Sequence, residues 1–381
     1  MKFKPFVDVE IKNNVLNITK VTPLFNKLVE NVKNEYRKFK SLREPKIENF
    51  SFELKNGLDQ LDANHFLKNS DFIDYFIKVK ENQQLPFSIS REIQTKISTI
   101  NNYENALNIS IPQQTLLLTN YFINNNSSRE TFYQIQRQHK IWWMKYSANP
   151  GKYSISDKLS IDHFESVNIR SCINEKQLDV ENLKLFSLED YIANKDQLEK
   201  YSIKVPRKKT EMIPSVIESV ISLEIAALGI LFDAVDSFES TAFHRRLAPF
   251  QIVLTTVAKV EGNLNYFHKI LTILISNCYL YTDDAINQEL TDLARYIELT
   301  INEQDSSINI LNELSHKNLD QKQLLQYFEE FDQIGIPYTI ILNESVLKNG
   351  LFKLRNRNTT ISETIHLSDV KNYVIKIFNS L

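Results

Sequence analysis

Hydrophobic and polar positions alternate most clearly close to the C-terminus. Asn349 and Gly350 supply the permissive backbone that a chain reversal needs. A polar turn then separates two short apolar strands, residues 351–354 and 363–367, and Ser368 stands where a helix N-cap is expected. The pattern predicts the closing strand, strand and helix of a small α/β domain.

The segments before this stretch alternate between the period of a strand and the period of a helix. Strands are predicted at residues 250–257, 308–311 and 338–342, and helices at residues 287–302 and 321–331. This alternation is typical of a mostly parallel sheet covered by helices on both faces. An apolar stripe over residues 263–278 predicts an extra helix that this arrangement does not require.

The N-terminal part has a less regular pattern, which predicts an α+β fold. Its predicted elements are an amphipathic helix over residues 16–43, a buried strand over 108–122, an amphipathic helix over 129–146, strands and loops over 154–200, and a buried helix or strand-helix pair over 215–238. The sequence HRRLAP at residues 244–249 precedes a β-branched strand and marks the expected domain boundary. We therefore expect one domain over residues 1–243 and a second over residues 244–381.

Composition limits the classes of protein to which the chain can belong. Its 381 residues, 42% of them hydrophobic, supply material for two or three domains. With a formal net charge of −2, any contact with nucleic acid would have to come from local basic patches. The two cysteines lie far apart and support neither a disulfide framework nor a cysteine-rich zinc site. No apolar run reaches the roughly 20 residues of a membrane helix, and no presequence is evident at the N-terminus.

No catalytic motif is evident in the chain. Neither the phosphate-binding GxxxxGK[ST] nor the zinc-binding HExxH occurs. His163 with Asp162 and Glu165 could form a metal cluster, but solvated loop residues are the simpler interpretation. The paired carboxylates at residues 283–284 and 329–330 are interpreted as solvated faces rather than a nuclease centre. We expect no metal, no cofactor and no nucleophile.

Local basic clusters are the candidates for nucleic-acid contact. One loop cluster, which could contact DNA phosphates or serve only as solubilising charge, comprises Lys204, Arg207, Lys208 and Lys209. Arg245 and Arg246 lie at the expected domain boundary, where they could contact DNA or bridge the two domains.

Two further pairs of residues carry candidate chemistry. Trp142 and Trp143 point in different directions on a helix, so we expect one in the core and the other half-exposed, with base stacking as the less favoured role. Arg355 and Arg357 would point to the same side of an extended strand. They could bind a carboxylate or phosphate of a partner, or stabilise the local turn.

Three motifs resemble known families. FHRRLAPFQIVL at residues 243–254 resembles the beginning of the anticodon-binding domain of class II aminoacyl-tRNA synthetases of the glycyl, prolyl, threonyl and histidyl group. NGLFKLRNRNTT at residues 349–360 and RQHKIWWMKYSANPGKYS at residues 137–154 resemble more specifically the accessory subunits of mitochondrial DNA polymerase gamma. The match covers residues 130–381 in patches. It implies a degraded class II synthetase-like domain followed by an anticodon-binding-like α/β domain.

The resemblance also implies which chemistry is missing. A synthetase of this type would clamp ATP with an arginine at the start of its last core helix, after glycines that let the backbone approach the nucleotide. Residues 219–235 contain no arginine, and their one glycine, Gly229, falls inside the predicted helix. A polyphosphate without a guanidinium opposite it is poorly held. Adenylation is therefore not expected, and neither is any other enzymatic activity.

The function that the resemblance implies is that of a non-catalytic processivity subunit in the mitochondrial matrix, at the nucleoid. Its C-terminal domain would dock the catalytic polymerase subunit through Leu351, Arg355 and Arg357, and its basic loops would hold primer-template DNA. No candidate for the helical insert through which vertebrate members dimerise is evident in residues 45–130, so a monomer that pairs one to one with the polymerase is expected. The alternatives are an active class II synthetase and a free-standing nucleic-acid-binding module.

Overall fold

The computed structural model divides the chain into two compact units, residues 3–233 and residues 234–381. The boundary between the units lies before the one expected at residues 243 and 244. The structure describes residues 4–12, 15–43, 47–49, 67–95, 105–161, 163–204, 210–236, 241–256, 260–261, 283–314 and 319–379. Within these residues, no helix is long and apolar enough to cross a membrane.

The first unit is built on a large, mostly antiparallel sheet. The strands of the whole unit are β1 (Val7–Lys12), β2 (Val15–Val21), β3 (Ile47–Asn49), β4 (Phe87–Thr95), β5 (Asn108–Ser110), β6 (Gln114–Ile123), β7 (Tyr153–Ile155), β8 (Leu159–Ile161), β9 (Phe164–Ile173), β10 (Lys176–Ser187), β11 (Ile203–Lys204), β12 (Glu211–Met212) and β13 (Ser215–Ser222). The large sheet has the order β3-β4-β6-β13-β10-β9-β7, with β8 paired to β9. Strands β1, β2 and β5 form a separate small sheet, and β11 pairs with β12.

In the described part of this unit, six helices accompany the strands. They are α1 (Pro23–Arg43), α2 (Ser70–Asn82), α3 (Ser128–Tyr146), α4 (Leu188–Tyr191), α5 (Lys195–Lys200) and α6 (Leu223–Asp236), the last of which crosses the unit boundary. The helix predicted to begin at residue 16 begins only at Pro23, where proline suits the first turn. The residues before it, VLNITKV, form β2 because β-branched side chains favour a strand. The strand-helix alternative for residues 215–238 is confirmed by β13 and α6.

The second unit has a five-stranded mixed sheet. Its strands are β14 (Ile252–Thr256), β16 (Ile310–Glu313), β18 (Tyr338–Leu342), β19 (Leu351–Asn356) and β20 (Ser362–His366), in the order β16-β14-β18-β19-β20. A short separate pair joins β15 (Val260–Glu261) to β17 (Leu319–Asp320). In the five-stranded sheet, β16, β14 and β18 run parallel to one another, whereas β19 and β20 are antiparallel to their neighbours.

Helices cover both faces of this sheet, as the sequence pattern predicts. They are α7 (Asp283–Gln304), α8 (Gln321–Gln333), α9 (Glu344–Asn349) and α10 (Val370–Asn379). Ile252 and Leu254 pack with α7 and α10 on one face, while Val253 packs with α8 on the other. The predicted helix over residues 263–278 lies outside the described residues.

The closing stretch of the chain differs from its prediction at two points. Helix α9 precedes the reversal, and Gly350 ends it with φ +70, a left-handed conformation that favours glycine. Ser368 is not an N-cap, because the chain first makes a 3-10 turn over residues 367–369 and helix α10 begins at Val370. The two predicted strands are confirmed as β19 and β20.

A buried carboxylate joins two helices to the large sheet of the first unit. Glu181 on β10 accepts hydrogen bonds from the Tyr36 hydroxyl of α1 at 2.8 Å, the Trp143 indole of α3 at 2.9 Å and the Ser219 hydroxyl of β13 at 2.7 Å. His139 Nδ1 lies 2.6 Å from the same carboxylate. Burial alone would raise the pKa of Glu181, but His139, the charge of Lys40 and the Trp143 hydrogen bond outweigh it and lower the pKa to about 2. The carboxylate therefore stays ionised in the folded protein.

Replacing this carboxylate by an amide should destabilise the first unit. We expect Glu181→Gln to lower the free energy of unfolding by about 3 kcal/mol, because it removes one partner of a buried charged network. Glu189→Gln, at an exposed glutamate, is the control and should change it by less than about 0.5 kcal/mol. Because the folded pKa of Glu181 lies below the ordinary glutamate value of 4.5, its contribution to stability is complete above that pH and is lost as the pH falls towards 2.

Urea titrations at pH 7 and at several lower pH values measure both effects. The wild-type protein should lose part of its stability over this acid range, and the Glu181→Gln variant should lack that part of the pH dependence. Equal stability of the wild type and the variant at pH 7 would contradict the role assigned to the network.

Candidate partner and nucleic-acid surfaces

Arg355 lies in the interior of the second unit. Its guanidinium donates two parallel hydrogen bonds to the Asp332 carboxylate, each at 2.8 Å. The same group lies 4.8 Å from the centre of the Phe328 ring, and only 7% of the residue is exposed. A bidentate pair of this kind, stacked on an aromatic ring, fixes helix α8 against strand β19.

Arg357 is enclosed by backbone carbonyls. Its guanidinium donates to the Thr241 carbonyl at 2.8 Å, the Gly335 carbonyl at 2.7 Å and the Phe243 carbonyl at 3.2 Å. Burial lowers the pKa of Arg357 to about 10, although the charge of Asp332 opposes this shift. The guanidinium thus joins two segments that lie outside the strands, residues 241–243 and Gly335, by hydrogen bonds to their carbonyls.

These contacts correct the expectation that Arg355 and Arg357 face a partner. Both side chains are enclosed, and the structural alternative named for them, stabilisation of the local turn, describes only the bonds from Arg357 to the Asn358 side chain. The physical reason is that carboxylate and carbonyl acceptors from distant parts of the chain converge on them. Leu351, the third predicted contact residue, is 38% exposed at the start of β19, and its role in docking stays a prediction.

Arg246 also makes contacts inside the second unit. It donates to the Phe378 carbonyl at 2.6 Å and 3.0 Å and to the Asp305 carboxylate at 2.7 Å. Burial raises the pKa of Asp305, but hydrogen bonds from Ser307 and Arg246 outweigh it, so the net shift is downward. Arg246 therefore ties the segment before β14 to the end of α10, and these contacts leave its predicted DNA contact without support. Arg245 beside it is half-buried, and its contact with DNA stays a prediction.

Lys204 is exposed at the end of β11, where it pairs with Glu211 of β12. Arg207, Lys208 and Lys209 lie outside the described residues. A cavity of about 120 Å³ opens beside Lys204; it is lined by Leu85, Pro86, Ile123, Asn124, Ser127, Thr131, Ile203, Lys204 and Met212. The first residue of the predicted basic loop therefore lies next to the beginning of α3.

Both tryptophans belong to the core, which corrects the expectation that one is half-exposed. Trp142 and Trp143 are buried, and their rings meet edge to face at 4.8 Å. Trp143 in addition donates to Glu181. Adjacent positions on a helix can both be buried here because α1 packs beside α3, so that Tyr36 covers Trp142 at 4.9 Å. Base stacking by these rings would require the helix to leave the sheet.

The opposite face of α3 carries exposed residues that the sequence analysis did not single out. Tyr133 and Ile141 are each 53% exposed, and Arg137 and Lys145 are exposed beside them. Their spacing of four residues was available from the sequence, since it places all four on one side of a helix.

Comparison with known proteins identifies the class to which the second unit belongs. Residues 285–377 match the family model of the anticodon-binding domain. This agrees with the mixed sheet covered by helices and relates the chain to class II aminoacyl-tRNA synthetases.

Comparison over most of the chain identifies the family. The chain is 31% identical to the mitochondrial DNA polymerase subunit gamma-2 of Drosophila melanogaster over 281 residues, which are 69% of this chain and 67% of that protein. It is 23% identical to the mitochondrial DNA polymerase subunit gamma-2 of Xenopus laevis over 316 residues, 77% of this chain and 60% of that protein. A 60-residue segment is 38% identical to DNA polymerase subunit gamma-2 of Bos taurus, covering 16% of this chain and 12% of that protein. The chain belongs to the gamma-2 family, the accessory subunits of mitochondrial DNA polymerase gamma.

The internal role of Arg357 can be separated from a surface role by stability measurements. We expect Arg357→Met to lower the free energy of unfolding by about 3 kcal/mol, because three buried carbonyls lose their donor. Lys353→Met, at an exposed position of the same strand, is the control and should change it by about 0.5 kcal/mol or less. Unfolding in guanidinium chloride, followed by circular dichroism, measures the difference in stability. An Arg357→Met protein as stable as the control would show that the guanidinium is dispensable for the fold.

Proposed function

We propose that this accessory subunit increases the processivity of the mitochondrial DNA polymerase in the matrix, at the nucleoid. Its second unit docks the catalytic subunit, and basic residues of its first unit contact primer-template DNA. The observation that carries the proposal is the similarity to gamma-2 subunits over 69% of the chain. Additional phosphate contacts slow dissociation of the polymerase from DNA without changing its chemistry.

The distribution of charge supports DNA contact by the first unit and docking by the second. Residues 1–233 carry 32 lysines and arginines against 29 aspartates and glutamates, a net charge of +3. Residues 234–381 carry 13 against 18, a net charge of −5. Because DNA repels an acidic surface, the contact with its phosphates is better sought on the first unit.

A catalytically active class II synthetase is the second candidate function, and the sequence at β13 and α6 argues against it. Residues 219–235 contain no arginine that could bind the triphosphate of ATP, and the one glycine among them, Gly229, lies within α6. An ATP–pyrophosphate exchange assay separates the two functions, because only a synthetase would give exchange that depends on an amino acid.

Primer extension tests the processivity role directly. In the presence of excess trap DNA, the catalytic subunit with this chain should make products several-fold longer per binding event than the catalytic subunit alone. Catalytic subunit mixed with heat-denatured chain is the control. Equal product lengths with native and denatured chain would refute the proposal. Light scattering on the native mixture should return a one-to-one complex.

Docking through the second unit is tested at Leu351. We expect Leu351→Glu to weaken binding to the catalytic subunit about tenfold or more, because a charge would have to be desolvated in an apolar contact. Ile361→Glu, at another exposed apolar residue of the same unit, is the matched control. Titration by biolayer interferometry measures both affinities. Unchanged binding of Leu351→Glu would remove Leu351 from the docking surface, and equal loss in both variants would point to a general effect of charge.

A further inference from the structure

The outward face of α3 combines cations with large apolar side chains. We call it the α3 face and define it by Tyr133, Arg137, Lys140, Ile141 and Lys145. Tyr133 and Ile141 are each 53% exposed. Arg137 and Lys145 are exposed, and Lys140 is half-buried. These residues recur at intervals of three or four along the helix and so lie on one side of it.

The composition of this face differs from that of an ordinary solvated face. Such a face mixes both signs of charge, with acids placed one turn from bases. Helix α3 has four cations and a single acid, Glu130. One of the cations, Arg129, is partly neutralised by Glu165 at 3.3 Å. The residues one turn before Arg137 and Lys145 are Tyr133 and Ile141 rather than acids, so the α3 face is positive and partly apolar.

The inner side of α3 holds this face in a fixed position. Trp142 and Trp143 are buried, and His139 and Trp143 contact the Glu181 carboxylate at 2.6 Å and 2.9 Å. A surface on a helix fixed in this way loses little conformational entropy when it binds a ligand. The α3 face is therefore organised before any ligand arrives.

Lys204 adds an exposed cation beside the first turn of α3. Ser127 and Thr131 line the same 120 Å³ cavity as Lys204. From there to Lys145 the helix contributes about 14 residues, which is about 21 Å at 1.5 Å per residue. That length corresponds to roughly six base pairs at 3.4 Å per step.

We propose that the α3 face, together with Lys204, binds the backbone of duplex primer-template DNA. Arg137, Lys140 and Lys145 contact phosphates, and Tyr133 and Ile141 pack against the sugar edge between them. The charge of the surface selects a polyanion, and its length suits a rigid duplex. This inference deepens the proposed function and rests on it.

Anisotropy titration of the full-length chain with a labelled primer-template duplex tests the inference. Arg137→Gln/Lys145→Gln should bind about tenfold more weakly, and the slope of log K against log salt should become less steep by about 2. Lys20→Gln/Lys38→Gln, which removes two exposed cations of α1 and β2 in the same unit, is the matched control. It should bind within about twofold of wild type. Tyr133→Ser should weaken binding while leaving the salt slope unchanged, which a purely ionic surface would not do.

Several outcomes would overturn the inference, and they differ from failure of the proposed function. If Arg137→Gln/Lys145→Gln bound DNA as tightly as the wild type and Lys204→Gln bound it more weakly, the DNA contact would be confined to the loop that begins at Lys204. The proposed processivity role would not be affected by that result. Loss of binding to the catalytic subunit with unchanged DNA affinity would make the α3 face a protein contact. If Lys20→Gln/Lys38→Gln weakened DNA binding as much as Arg137→Gln/Lys145→Gln, the effect would be one of net charge and not of the α3 face. Circular dichroism melts of each variant verify that it is folded, and primer extension with the wild-type chain tests the proposed function separately.

Discussion

The ionised carboxylate of Glu181 is the interaction on which the first unit depends. A buried charge is tolerated only where donors surround it, and here the donors come from α1, α3 and β13. Because each donor must reach one carboxylate, both helices are fixed in position and rotation against the sheet. This fixes which residues of α3 face inward, and its outward face follows from that constraint.

The second unit uses a cation in the same way. The guanidinium of Arg357 donates to the backbone carbonyls of Thr241, Phe243 and Gly335, which lie outside the strands. Neighbouring Arg355 pairs with Asp332. An arginine at the end of β19 can thus be required for the fold alone, and its presence in a motif does not by itself indicate a contact with a partner.

Charged residues therefore divide into two groups with different consequences. Glu181, Arg355 and Arg357 are buried, Arg246 has a side chain that is only 10% exposed, and all four are hydrogen-bonded, so their loss should appear first in stability. Arg137, Lys145 and Lys204 are exposed, and their loss should appear in binding and in its dependence on salt. Burial separates the groups more reliably than residue type does, since arginine occurs in both.

The sequence alone determined what depends on local pattern: the strand-helix pair at β13 and α6, the alternation of the second unit, the helix with two tryptophans, and the lack of an arginine in residues 219–235. Period and side-chain type decide these features over a few residues. Only the tertiary structure decided that Arg355 and Arg357 point inward, that both tryptophans are buried, and that Lys204 lies beside the beginning of α3. Each of these depends on acceptors, rings or strands from distant positions in the chain, and spacing along the sequence does not report such contacts.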